Sequence, residues 1–144
     1  MIYYKTTEEI ELLRKSNLLV SHTIATLAKE IKPGINTLHL DKLAGEFIHD
    51  NGGKPAFKGY KGFPYTCCIS VNSAVVHGFP NSAELKEGDV VSIDTGVVLD
   101  GYVGDSAYTF ALGTISEEVQ QLLRVTKESL YKGIEKAKVV YRIG

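Results

Sequence analysis

The chain has 144 residues, 44% of them hydrophobic and 23% charged, and a formal net charge of −1. That length supports one domain with a core of its own, and the near-neutral charge lacks the basic field that nucleic acid or an anionic membrane surface would demand. No run reaches the roughly 18 apolar residues of a membrane span, and "MIYYKTTEEIELLRKS" has no apolar segment followed by a small-residue cleavage site. Cys67 and Cys68 are neighbours, which suits neither an ordinary disulfide nor a zinc-ribbon spacing. A reducing, cytoplasmic setting is the expectation.

Thr6 and Glu9 form a T-x-x-E capping box that opens a helix. Ile10, Leu13, Val20, Ile24, Leu27 and Ile31 then recur at steps of three and four, with Asn17 the one polar member of that face. Pro33-Gly34 stops the helix. Thr37 is expected to cap a second helix with Leu40, Leu43, Ala44, Phe47 and Ile48 inside, ended by Asn51-Gly52-Gly53. "PAFKGYKGFP" reads as a loop. "TCCISVNSAVVHG" reads as strand, turn at Asn72-Ser73, and strand. After the turn "LKEGD" come "VVSIDTGVVL" and "YVGDSAYTFAL", two strands joined by the hairpin signal Asp100-Gly101. Ser116 is expected to cap a third helix, with Glu117 and Glu118 suiting its N-terminal dipole and Val119, Leu122, Leu123, Leu130 and Ile134 on its inner face. The predicted class is α+β, with helices on one face of a curved antiparallel sheet.

Asp94 and Asp105 stand out in this hairpin, because aspartate is disfavoured in strands and a buried, unpaired carboxylate is costly. A two-residue turn puts Leu99 opposite Tyr102, Gly96 opposite Asp105 and Asp94 opposite Ala107. Side chains alternate along a strand, so both carboxylates share one face as diagonal neighbours, with Cα atoms about 7–8 Å apart. Small Gly96 and Ala107 are expected to leave space above the sheet. Two such carboxylates repel unless a proton or a cation joins them. Mn, Fe, Co or Zn suits these ligands, and two ions about 3.5–4 Å apart can share a bridging carboxylate. The competing reading makes one aspartate an edge-strand solvating residue and the other a turn cap; the residues alone leave the two even. His77 precedes Gly78 near a turn, where a lone histidine is more often structural than catalytic. Tyr60, Phe63 and Tyr65 read as loop-packing aromatics, and His22, His39 and His49 as surface or core-edge residues.

"CISVNSAVVHGFP" followed by "LKEGDVVSIDTGVVLDGYVGDSAYTF" resembles the type I methionine aminopeptidases, most closely the bacterial forms, as do "KTTEEIELLRKSNLLV" and "IKPGINTLHLDKLAGEFI". The resemblance runs over essentially the whole chain. It implies a pita-bread fold and a metal-dependent exopeptidase that removes the initiator methionine from nascent proteins and peptides, with the ribosome close by. By motif match, Asp94 would chelate one of two divalent ions (Co, Mn, Fe or Zn) and Asp105 would bridge both. His77 would be the catalytic residue contacting substrate, and Tyr60, Phe63 and Cys68 would line the methionine pocket.

The resemblance also implies ligands that the chain does not carry, a histidine and two glutamates from a second half. Residues 1–144 are therefore expected to form a single domain, the N-terminal half of a pita-bread catalytic domain. It would bind metal weakly, be inactive alone and tend to self-associate through its exposed seam. Val103 stands where the family often has histidine or another polar or aromatic residue, and "KVVYRIG" lacks the usual glycine before arginine. A non-catalytic pita-bread binding module and a proline-specific aminopeptidase of the same fold are the alternatives.

Overall fold

The computed structural model describes residues 3–142. Its elements are α1 (Thr7–Ala28), α2 (Thr37–Asp50), the short β1 (Lys54–Pro55), β2 (Cys67–Val71), β3 (Val90–Leu99), β4 (Tyr102–Ala111) and α3 (Glu117–Lys136). The expected capping box opens α1: Glu9 N–H donates to Thr6 Oγ1 at 3.2 Å and Thr6 N–H to Glu9 Oε2 at 2.8 Å. The buried face of α1 is turned from the predicted one. It consists of Ser16, Leu19, Val20, Thr23, Ile24 and Leu27, while Ile10 and Asn17 face solvent and the helix ends at Ala28, short of Ile31. Ser16 and Thr23 can go inside because each hydroxyl donates to a carbonyl of its own helix, Leu12 and Leu19, both at 2.8 Å.

The cap of α2 also differs from expectation. Asn36 Oδ1 accepts from His39 N–H at 2.9 Å and so caps the helix. Thr37 is instead bonded to the loop beyond His77, donating to Asn81 O at 3.1 Å and accepting from Asn81 N–H at 2.8 Å.

The sheet is built on β3. One side pairs with β4 along its whole length in the expected register, from Val90↔Ala111 to Leu99↔Tyr102. The other side pairs with β2, from Cys67↔Thr95 to Val71↔Val91, and then with β1 at Lys54↔Val98 and Pro55↔Val97. Asp100 (φ 51°) and Gly101 (φ 81°) are successive left-handed residues, the twist a two-residue hairpin needs.

Helices α1 and α2 cover one face of the sheet. There Leu27, Leu40 and Ala44 meet Cys67, Ile69, Val91 and Ile93, while Leu19, Val20, Ile24 and Ile48 meet Val97. The contact is closest at Gly104, where an added Cβ would lie 2.5 Å from the Ser16 carbonyl carbon.

Two expectations fail. Ala74–His77 forms no strand: Asn72 (φ 53°) and His77 (φ 58°) are both left-handed, and between them the chain leaves the sheet. The predicted inner face of α3 is not inner. Ser116 caps the helix as expected, accepting from Val119 N–H at 3.3 Å, yet α3 buries no residue. Leu122, Leu130 and Ile134 are 57–63% exposed, and Val119 and Leu123 are only half-buried. Amphipathic periodicity makes a helix but cannot supply the surface that covers it. At the C-terminal segment Val139 and Val140 are exposed, and Ile143 and Gly144 of "KVVYRIG" lie outside the described residues.

Replacing Gly104 by alanine forces a methyl group into the α1 backbone. Urea denaturation is expected to show a loss of about 1–3 kcal/mol, the usual cost of overpacking.

Candidate metal centre

The register places Asp94 opposite Ala107 on one side and Cys68 on the other, and Asp105 opposite Gly96. Alternation sends Ile93, Thr95 and Val97 to the helix-covered face, so Asp94, Gly96, Asp105, Ala107 and Cys68 share the opposite one. Asp94 is half-buried and Asp105 exposed. Burial pushes the Asp94 carboxyl above the usual carboxylate range. The Asp105 charge and a hydrogen bond with the Asp105 carboxyl push it the same way, while the His77 charge opposes them. The Asp105 charge is thus one of the causes that make the charged form of Asp94 costly.

The adjacent cysteines part company by the same alternation. Cys67, opposite Thr95, lies in the core, where burial pushes its thiol up to about 12. Cys68 lies on the aspartate face, only 7% exposed. Its thiol is also raised, first by burial and then by the charges of Asp94 and Asp105. It therefore stands beside the carboxylates as a neutral thiol, a small and polarisable wall.

Asp41 fixes that wall from below. Its Oδ1 accepts Thr66 N–H at 2.9 Å and Cys67 N–H at 2.8 Å, tying α2 to the start of β2. Burial raises its carboxyl while the two backbone donors pull it back.

The space expected above Gly96 is filled. A Cβ there would lie 2.8 Å from the Phe57 ring and 3.0 Å from Ala56 Cβ, and Ala56 N–H donates to Gly96 O at 2.8 Å. Gly96 is thus the place where the 56–57 segment lies down on the sheet, and Phe57 walls the face next to Asp105. Of the residues on this face, Asp105 and Ala107 are exposed, Asp94 is half-buried and Cys68 is buried.

His77 is exposed, and its charge reaches Asp94. Phe63 is half-buried in a cluster of edge-to-face rings, 6.0 Å from Tyr65 and 5.3 Å from Phe79 between centroids; Tyr65 and Phe79 are 5.6 Å apart. Tyr60 stands outside that cluster, 66% exposed in a short 3-10 turn with Lys61 Nζ 5.5 Å from its ring centre. Val103, next along the aspartate face, is exposed. His22, His39 and His49 are all on the surface, as expected. Phe57, Phe79 and Asp41 were not among the predicted site residues. Phe79 was the most accessible to sequence reasoning, because it follows His77-Gly78 directly.

The carboxylate pair fits a divalent cation in its donor chemistry: hard oxygens and like charges that a cation would neutralise. Among the described residues no third His, Cys, Asp or Glu joins them to make a set of three. Two further clefts are present: about 410 Å³ between α1 and β4, lined by Ile24, Ala28, Tyr108 and Phe110, and about 530 Å³ between α2 and the 55–66 loop.

A family model, metallopeptidase family M24, matches residues 11–144. The methionine aminopeptidase of Clostridium perfringens is 52% identical over 143 residues, covering 99% of this chain and 57% of the relative. Methionine aminopeptidase 1 of Bacillus subtilis is 50% identical over 138 residues, covering 96% and 56%. The crystal structure of methionine aminopeptidase from Rickettsia prowazekii superposes with a TM-score of 0.91 at 36% identity, covering 93% of this chain and 54% of that one. The chain spans a little over half the length of these relatives, and its architecture is the expected pita-bread one. No helix among the described residues is long and apolar enough to cross a membrane.

A raised Asp94 binds its proton more tightly in the native than in the unfolded state. The stability it contributes is therefore full below the unfolded value of about 4 and is lost as pH rises through the native one. Thermal melts of the metal-free chain are expected to show this loss, with Asp94→Asn losing less over the same window. Taking the difference between the two proteins removes the same-signed contribution of Asp41. Parallel pH profiles would contradict the raised Asp94 carboxyl.

Proposed function

The chain belongs to metallopeptidase family M24, and on that premise we propose that Asp94 and Asp105 are metal ligands in an aminopeptidase centre that removes N-terminal methionine from new proteins and peptides. The observation that carries this reading is the carboxylate pair itself, set on one sheet face by register, with the Asp105 charge acting on a half-buried Asp94. In this reading Asp94 chelates one divalent ion and Asp105 bridges two, drawn from Co, Mn, Fe or Zn. When bound, such ions supply Lewis acidity to the scissile carbonyl and to water.

The other residues bind and orient. His77, exposed beside Asp94, offers an imidazole to the substrate backbone. Cys68 presents a neutral thiol to a thioether side chain, and Phe63 with Tyr65 and Phe79 supplies an apolar wall for it. Tyr60, exposed in its short turn, is assigned to the same pocket in this reading. Two carboxylates are a sparse donor set, so the complete centre draws further ligands from outside the described residues.

Calorimetric titration with Mn(II) is expected to give weak binding to the chain, lost in Asp94→Asn and in Asp105→Asn; binding that survives both substitutions would sink the ligand assignment. Assays on methionyl and Xaa-Pro peptides with added Co(II) or Mn(II) are expected to show no enzyme-like turnover by the 144-residue chain. Rapid methionine release would show that the two carboxylates need no further ligands, and rapid cleavage of Xaa-Pro would replace the substrate assignment.

The exposed stripe of Leu122, Leu130 and Ile134 supports self-association of the chain. Light scattering is expected to show a mass rising with concentration, reduced by Leu130→Glu combined with Ile134→Glu. A strictly monomeric chain at high concentration would contradict this.

A further inference from the structure

His77 has no side-chain hydrogen bond among the described residues, so its direction comes from the backbone that carries it. That backbone is held at two ends. At the far end Gly78 returns to β2: Ile69 N–H donates to Gly78 O at 2.9 Å and Gly78 N–H to Ser70 Oγ at 3.0 Å. A Cβ on Gly78 would collide with Ile69 O, so the return allows no side chain.

At the near end stands Asn72, left-handed at the last turn of β2. Its side chain works in both directions. Oδ1 accepts Val90 N–H at 2.9 Å, and Nδ2 donates to Asp89 Oδ1 at 2.8 Å. Its backbone N–H also donates to Val90 O at 2.8 Å. Asp89 is itself anchored: Oδ2 accepts Lys86 N–H at 2.8 Å, and its carbonyl accepts Leu112 N–H at 2.8 Å. The Asn72 amide, followed by the Lys86 N–H, holds the Asp89 carboxyl below its ordinary range, as expected of a carboxylate that is used as an acceptor.

Between the clamps Ser73 to His77 are exposed and carry one turn bond, Ala74 N–H to Val71 O at 3.1 Å. Asparagine meets all three demands of the near clamp. It tolerates a positive φ, it offers an acceptor to an amide, and it offers a donor to a carboxylate. Aspartate would set a second negative charge against Asp89, and glycine would keep the φ but lose both bonds.

We propose that Asn72 is a positioning residue: by clasping the Ser73–His77 loop to Asp89 and Val90 at the start of β3, it holds the His77 imidazole beside Asp94. The proposal rests on the functional reading above for the importance of His77, and it gives a physical reason for "SVN" and "EGDVV" in one chain. The first segment supplies the clasp and the second its socket.

The test uses the 144-residue chain, isotopically labelled, with sub-stoichiometric Mn(II) as a paramagnetic probe at the carboxylates. In the unsubstituted protein the Ala107 amide and the His77 ring are both expected to broaden, with the surface rings of His22, His39 and His49 as controls for stray Mn(II). In Asn72→Gly, which keeps the left-handed turn, and in Asn72→Ala, Ala107 is expected to broaden as before while the His77 broadening falls several-fold. Unchanged His77 broadening in both variants overturns the proposal. Backbone ¹⁵N relaxation without metal gives a second readout: residues 73–77 are expected to become mobile in Asn72→Gly while Ile69 and Ile93 do not. If Mn(II) leaves Ala107 sharp in the unsubstituted protein, the metal assignment falls and the relaxation data alone decide for or against the clasp.

Discussion

Two carboxylates, Asp94 and Asp105, are held on one face as diagonal neighbours by the β3–β4 register, and the Asp105 charge helps burial to raise Asp94. The strands cannot relieve the repulsion by slipping, because a shift of β3 by one residue would turn Ile93 and Val97 out of the core and bring Asp94 into it. The hydrophobic face of the sheet thus enforces the electrostatic problem on the other face. A metal-free protein bears it as a raised Asp94. In the proposed centre a bound cation would turn the same geometry into a ligand pair and relieve the repulsion.

Around that pair, segments remote in sequence are brought together by a few specific bonds. Asp41 on α2 fixes Thr66 and Cys67, and through them Cys68. The 56–57 segment lies on Gly96 because glycine alone leaves room for it. Thr37 holds Asn81, and Gly78 docks on Ile69 and Ser70, so the stretch that bears His77 and Phe79 is fastened on both sides. The aromatic cluster of Phe63, Tyr65 and Phe79 then joins the loop before β2 to the loop after it. The core lies on one face of the sheet and the chemistry on the other, and glycines mark the close approaches on both, Gly104 below and Gly96 above.

The hairpin and its consequences were legible in the sequence because each rests on a short-range rule. Asp100-Gly101 demands a two-residue turn, that turn sets the register, and alternation then assigns Asp94 and Asp105 to one face. The face of α1 was not legible from apolar spacing, since Ser16 and Thr23 are buried by virtue of bonds to their own helix. Ala74–His77 has the β-branched composition of a strand, yet the left-handed residues Asn72 and His77 at its ends turn it into a loop. Phe57 over Gly96 and the bonds of Asp41 to β2 are contacts across the sequence that no local pattern announces. Helix α3 shows the limit most plainly: its apolar period is correct and its Ser116 cap is in place, but no described residue buries that face.

The most direct test of the account is ¹³C observation of the Asp94 and Asp105 side-chain carboxyl groups through a pH titration, first without metal and then with Zn(II) added at fixed pH. Asp94 is expected to titrate above the ordinary carboxylate range, and both resonances are expected to shift along a single Zn(II) binding curve. An unshifted Asp94 titration, or Zn(II) moving one carboxyl and not the other, would contradict the paired site.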